Sequence, residues 1–327
     1  MKVVIMHSAD ALEPPVDPVL EQLRSAVESC AHAVQSLSVE SAVAPLVSEL
    51  TAAAPDIVFN LTESFAGKSA LESNVAALLN LLGLRYTGSS PAGLLLAGDK
   101  SLTKQVLSFH GIRTPEFATV FRGAVDWAGD IEFPLIVKPP QEDASLGITT
   151  NSVVRDLREL FTRIDELQSE FQQPVLVEQF VEGREFYVGV LGNVNARGLP
   201  VIELDFSGFP SGVPRIASWA AKWGDDGAGS GEQFAGTRSV FPADVPPELR
   251  ERMQQVAVDA FHALRLRDYA RIDLRVTDSG EIFVIEVNPN CYLERESEFA
   301  RAAAADGLSY DALIARILEL ALARYSR

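Results

Sequence analysis

Residues 269–290 read Y-A-R-I-D-L-R-V-T-D-S-G-E-I-F-V-I-E-V-N-P-N. Two apolar-rich stretches flank Asp278-Ser279-Gly280, which is a hairpin signature. A two-residue turn at Ser279-Gly280 sets Asp273 opposite Glu286 and Arg271 opposite Asn288. Side chains alternate between faces along a strand, so these residues share one face of the ribbon. Facing carboxylates repel, and the pairing is destabilising by itself; a cation between them is expected. One reading is an ion-pair ladder around Arg271. The other is a hard divalent ion, with Asn288 adding a neutral oxygen. Mg²⁺ takes one or two carboxylates and completes its shell with water and substrate phosphates. A longer turn with a bulge shifts this register by one.

The rest of the chain bounds what such a hairpin serves. Its 327 residues suffice for two or three domains, with 47% apolar and 22% charged residues, an ordinary globular composition. A formal net charge of -17 argues against a nucleic-acid or anionic-membrane surface. The two cysteines, Cys30 and Cys291, form no C-x-x-C or Cys/His cluster, so neither a zinc site nor a disulfide framework is indicated. The apolar run Val3–Met6 is too short for a signal peptide and no stretch has the length of a membrane span, so a cytoplasmic protein is expected.

Before the hairpin, strand patterns at 2–6, 34–39 and 56–61 alternate with helical patterns at 17–32, 41–53 and 69–82. That alternation predicts a parallel sheet with helices on its faces. Further helices are expected over 100–110, 156–171, 247–264 and 309–325, and strands over 117–121, 133–138, 175–180 and 185–191. Residues 205–242 are glycine-rich and aperiodic; they predict a long loop, mobile without ligand.

If the hairpin holds a metal with phosphates, phosphate-binding cations are needed elsewhere. A-G-K-S at 66–69 and G-D-K-S at 98–101 only approach a P-loop, and neither has its spacing. Lys138 ends the strand P-L-I-V-K before a small-residue turn, a place from which a lysine meets a phosphate as a point charge. Glu178 and Glu185 flank a turn at Glu182-Gly183. A solvated strand-end lysine and ordinary edge carboxylates explain these positions as well.

The order of the parts resembles the D-alanine–D-alanine ligase group of the ATP-grasp superfamily. The resemblance rests on V-F-N-L (58–61), G-L-R-Y-T-G-S (83–89), D-K-S-L-T-K (99–104), G-I-R-T-P (111–115), V-K-P (137–139), V-E-Q-F-V-E-G-R-E (177–185), A-A-K-W (220–223), A-R-I-D (270–273), I-E-V-N-P (285–289) and G-L-S-Y-D-A-L-I (307–314). It implies a three-domain architecture, α/β at the N-terminus and α+β in the ATP-grasp part, divided as 1–96, 97–183 and 184–327. It implies ATP and Mg²⁺, with Mn²⁺ as the alternative metal. By motif, Lys100 and Lys138 meet phosphates. Glu178, Gln179, Val181 and Ile285 meet adenine, and Glu185 the ribose. Asp273, Glu286 and Asn288 hold metal. Arg271, Lys222 and Ser145 are the catalytic positions, with Arg271 steadying an oxyanion and Lys222 reaching the phosphates from the loop. The partners implied are a small-molecule acid and amine, joined through an acylphosphate, with a homodimer as one form of assembly.

The departures concern the amino-acid side. The family's Gly-Gly-x-Ser-x-Glu opening is H-S-A-D-A-L-E-P-P here, with Glu13 near the glutamate's spacing. The Gly-Ser-Ser turn is Asp143-Ala144-Ser145, the loop tyrosine is Trp223, and the Pro-Gly after the metal-binding asparagine has become P-N-C-Y-L-E-R-E-S, where Ser297 keeps the spacing of a substrate-contacting serine. A ligase of related mechanism with a different amino-acid-like substrate is therefore expected. A genuine D-alanine–D-alanine ligase, a non-catalytic ATP-binding protein and a simple phosphotransferase are the alternatives.

Overall fold

A computed structural model of the chain describes residues 1–9, 16–121, 123–128, 131–142, 146–209, 212–217 and 237–326. Its first unit is built on β1 (Lys2–Ser8), where Val3, Val4, Ile5 and Met6 are fully buried. A strand apolar on both faces needs cover on both, as in parallel sheets. β1 lies in parallel between β2 (Ala33–Val39) and β3 (Ile57–Leu61), with α1 (Pro18–Ser29) and α2 (Val43–Ala53) as crossovers. Asp17 caps α1 by accepting from Val19 N at 2.9 Å, and Pro18 occupies its first turn, where its missing N–H is not needed. The expected helix at 69–82 opens as a 3-10 turn, Ser69–Leu71, and continues as α3 (Glu72–Leu81). α4 (Pro91–Ala97) and α5 (Lys100–Phe109) lead out of this unit.

Two antiparallel sheets follow. The first is made of β4 (Phe117–Phe121), β5 (Ala124–Ala128), β6 (Leu135–Lys138), β7 (Val153–Val154) and β8 (Val175–Gln179), in the order β5-β4-β8-β6-β7, backed by α6 (Leu157–Phe171). The second contains β9 (Arg184–Gly192), β10 (Arg197–Gly198), β11 (Ile202–Asp205), β12 (Arg238–Val240), β13 (Asp268–Val276) and β14 (Ile282–Asn288). Its order is β12-β11-β9-β13-β14, with β10 beside β9. α7 (Pro247–Ala263), α8 (Glu298–Ala305) and α9 (Tyr310–Arg324) complete the chain. The architecture is the expected parallel α/β unit followed by α+β sheets. One expectation is corrected at its edges. Residues 205–242 are not loop throughout, because β11 and β12 pair at their two ends, Asp205 opposite Arg238. Residues 218–236 lie outside the described residues.

One core joins the beginning of the chain to its end. Val3, Ile5 and Leu23 pack in the same cluster as Tyr269, Phe299, Leu313 and Ile317. A polar latch reinforces it. Asp268 is fully buried at a φ of 62° and accepts from Gly88 N at 2.8 Å, Asn193 Nδ2 at 3.1 Å and Arg324 Nη2 at 2.8 Å. Arg324 also donates to Tyr86 O at 2.8 Å. The last helix is thereby tied to the end of the first unit.

Burial raises the Asp268 carboxyl above its usual range, against the pull of Arg324, Gly88 N–H and Asn193. A raised native value means that the folded protein keeps a proton the unfolded chain has released. The group's contribution is then full at acid pH and is lost as pH rises through its native value. Arg324→Ala removes the main opposing charge. It should cost about 3 kcal/mol at pH 8, as expected when a buried pair loses one partner. The loss should shrink at acid pH, where Asp268 takes up its proton and needs no counter-charge. Urea unfolding of both proteins at pH 8 and at acid pH measures this.

Candidate active site

The site is assembled on the β13–β14 hairpin. Asp273 lies opposite Glu286 and Arg271 opposite Asn288, which is the expected register reached by a different route. The turn is not two residues long: Val276 pairs with Ile282, and Thr277 N donates to Glu281 O at 3.0 Å. That offset is cancelled by a bulge beyond Leu274, where Ile285 is the extra residue on β14. A bulge sets two residues of one strand against one on its partner, so the two irregularities restore the facing pair.

The facing carboxylates are not left to repel: the Arg271 ion pair offered by the sequence is present on Asp273, and Glu286 has a separate partner that the hairpin alone did not supply. Arg271 grips Asp273 with Nε to Oδ1 at 2.8 Å and Nη2 to Oδ2 at 3.0 Å, and Asn288 Nδ2 donates to Asp273 Oδ2 at 3.3 Å. Lys100 Nζ stands 3.0 Å from Glu286 Oε1. Each carboxylate has its own cation, so removing one would strand a buried positive charge rather than relieve strain. Burial works against the Arg271 charge, yet Asp273 and Glu298 hold its pKa well above the usual arginine value.

α5 supplies two of the lysines. Asp99 caps it by accepting from Ser101 N at 2.9 Å and Leu102 N at 3.1 Å. Lys100 and Lys104, one turn apart, both fall on its buried face. Lys104 Nζ donates to Thr114 Oγ1 at 2.8 Å and stands 3.2 Å from Glu178 Oε1. Lys138, at the end of β6, reaches the same oxygen at 2.9 Å. Glu178 is 1% exposed, Lys104 1% and Lys138 7%, so one carboxylate is shared by two lysines in a dry setting. Burial pushes Lys104 down to about 8 against the pull of Glu178, with Lys138 adding to the fall. Burial opposes the Glu178 charge too, but the two lysines outweigh it and hold the carboxyl below its usual range.

A cavity between the two antiparallel sheets gathers these groups. It is lined by Lys138, Glu178, Gln179, Val181, Glu185, Asp273, Ile285 and Glu286, with Ile136, Ile148, Phe180, Ile216 and Arg275 among its other walls. Apolar walls with a few convergent charges are the usual make-up of a cofactor pocket. Glu185 accepts from Tyr187 Oη at 3.0 Å and pairs with Arg275 Nη2 at 2.9 Å. Lys100, Arg271 and Asn288 reach the cavity through Glu286 and Asp273. Ser145 and Lys222 lie outside the described residues, as do Glu13, Asp143, Ala144 and Trp223.

Lys104, Phe180 and Arg275 were not singled out from the sequence. Lys104 carried a usable signal, its one-turn spacing from Lys100. Arg275 carried another, its alternation with Arg271 and Asp273 along β13.

Among the described residues, no group of three or more His, Cys, Asp or Glu comes together as a metal cluster. The hairpin instead offers two carboxylates and one amide, all with hard oxygen donors. That set suits an ion bound by one or two carboxylates together with substrate phosphates, so the residues fit Mg²⁺.

Residues 106–319 match the family model described as the D-ala D-ala ligase C-terminus. The chain is 34% identical to the uncharacterized protein y4sG of Sinorhizobium fredii over 82% of this chain and 75% of that one. It is 35% identical to a D-alanine–D-alanine ligase of Syntrophotalea carbinolica, over 77% of this chain and 75% of that one. Among solved structures, a D-alanine–D-alanine ligase from Bacillus anthracis complexed with ATP superposes with a TM-score of 0.73 at 21% identity, over 98% of this chain and 97% of that one.

The shared carboxylate generates a prediction with a built-in contrast. Glu178→Gln strands two buried lysines and should cost about 3–5 kcal/mol, whereas Lys104→Met leaves the Lys138–Glu178 pair intact and should cost less than about 2 kcal/mol. Denaturant unfolding of the two variants decides it. Equal losses would contradict the sharing of one carboxylate by two lysines.

Proposed function

The chain belongs to the D-alanine–D-alanine ligase family of ATP-grasp proteins, and from that premise we propose that it is an ATP-dependent carboxylate–amine ligase whose acid is an amino-acid-like molecule other than D-alanine. The observation that carries the ligase reading is the cavity itself. Lys138, Glu178, Gln179, Val181, Glu185, Ile285, Asp273 and Glu286 line one space between two sheets. We assign the adenine to the Gln179–Val181 segment and the neighbouring Ile285, and the ribose to Glu185. Lys138 and Lys100 take the phosphates. The proposed domain division is 1–96, 97–183 and 184–327.

In this scheme Asp273, Glu286 and Asn288 would hold Mg²⁺, which when bound would neutralise phosphate charge. The substrate's carboxylate oxygen attacks the γ-phosphorus, the bond from that phosphorus to the bridging oxygen breaks, and ADP departs. The amine then attacks the acyl carbon, the carbon–oxygen bond to phosphate breaks, and the amine gives up a proton. Arg271 steadies the oxygen that gains charge in this second step, with Asp273 fixing its guanidinium plane. Lys222 and Ser145 complete the proposed catalytic set.

The substrate reading rests on the changed positions. Ala144 has no hydroxyl, and the indole of Trp223 donates but does not accept. Ser297 donates its own hydroxyl to Tyr292 O at 3.0 Å. Asn290 donates to Glu72, and Tyr292 Oη to Asp17 Oδ1 at 2.7 Å. The segment after Asn288 is thus tied to the first unit by contacts of its own. Genuine D-alanine–D-alanine ligation is the second reading, favoured by the activity of the named relatives.

Steady-state phosphate release with pairs of amino acids and dipeptides separates the two. Each unmatched buried polar group costs on the order of 1–3 kcal/mol. D-alanine alone should therefore turn over at least about tenfold more slowly than the best pair, and release with that pair should require the amine. Robust turnover with D-alanine alone, yielding D-alanyl-D-alanine, would favour the second reading.

A further inference from the structure

Arg275 has no role in the scheme above, yet it lines the same cavity and is 5% exposed. It stands directly opposite Glu185 in the β13–β9 pairing. Its Nη2 lies 2.9 Å from Glu185 Oε2, and its Nη1 donates to Gly183 O at 3.0 Å. Nη2 also donates to the carbonyl of Arg215. The guanidinium sits 5.8 Å from the Phe180 ring centre and 5.7 Å from that of Phe206, within the range of cation–π attraction. One side chain therefore touches the linker between the two sheets, the carboxylate on β9 and the segment that follows β11.

A purely packing role accounts poorly for a charge here. Well-packed apolar residues of similar volume in place of a buried ion pair are often neutral or stabilising, and Phe180 and Phe206 would receive a methionine readily. What the guanidinium adds is direction. Its planar fork presents donors at fixed angles, so Glu185, Gly183 and Arg215 are set relative to one another. The linker has little freedom of its own: a Cβ on Gly183 would stand 2.2 Å from Val276 O.

We propose that Arg275 is a positioning residue for the nucleotide, holding Glu185 in the orientation that meets the ribose hydroxyls and fixing the 180–183 linker and the 212–217 segment around it. The proposal rests on the assignment of Glu185 to the ribose. Glu185 has a second holder in Tyr187, whose hydroxyl fixes Oε1; Arg275 fixes Oε2, so the carboxylate is pinned from both sides. Such preorganisation lowers the cost of ordering the contact when the ligand arrives.

The test compares binding of ATP and 2′,3′-dideoxy-ATP, with Mg²⁺, by calorimetry. Wild type should prefer ATP by at least about tenfold, the size expected for hydrogen bonds to a charged group. Glu185→Gln should lose most of that preference. Arg275→Met should lose most of it too, and should unfold at a lower temperature than wild type because it strands the buried Glu185 carboxylate. A preference kept in Arg275→Met while Glu185→Gln loses it overturns the positioning role and leaves the ribose assignment standing. A preference kept in Glu185→Gln, or absent from wild type, overturns the ribose assignment itself. If Arg275→Met does not fold, Arg275→Gln, which keeps a donor but not the charged fork, carries the same comparison. An undiminished preference there overturns the proposal.

Discussion

Charges removed from water must be balanced within the protein, and this constraint governs the cleft between the two antiparallel sheets. Lys104 and Lys138 share Glu178, Lys100 faces Glu286, Arg271 grips Asp273 and Arg275 pairs with Glu185. With Glu298 3.6 Å from Arg271, those are five cations against five carboxylates, so these side chains balance one another. The chain as a whole carries -17. The sharing of Glu178 also lets one lysine turn to a phosphate while the other keeps the carboxylate neutralised.

The scaffold has to hold those charges at fixed separations. Elements distant in sequence meet here: α5 from the end of the first unit, β6 and β8 from one sheet, β9 and the β13–β14 hairpin from the other. The core that joins Val3 and Ile5 to Leu313 and Ile317 and the Asp268 latch bind the first unit to the last helix. The linker 180–183 spans the two sheets, and Arg275 draws it onto β13 through Gly183 O.

Much of this was legible in the sequence because it depends on local periodicity. The buried run Val3–Met6, the capped helix at Asp17 and the lysine helix after Asp99 follow from short-range rules. The facing Asp273 and Glu286 were legible only because two departures cancel, the longer turn and the extra Ile285. Period-two counting sees neither. The Arg271–Asp273 pair was legible as an ion-pair ladder along the hairpin, whereas Lys100 as the partner of Glu286 was not, since tertiary packing brings the two together. β11 and β12 were missed because such short strands bordering a glycine-rich stretch carry too little alternation to register. Arg275 read as an ordinary strand residue because its partners lie on three other segments.

The central claim is that this cleft is built to receive a metal–polyphosphate, with Glu286 turning from Lys100 toward the metal and Asp273 meeting it while still holding Arg271. The most direct measurement is the affinity of a non-hydrolysable ATP analogue with Mg²⁺ and with a chelator. The account predicts binding at least about tenfold tighter with Mg²⁺, and a Glu286→Gln protein in which that difference is lost. Equal affinity in the wild-type protein with and without the metal would contradict it.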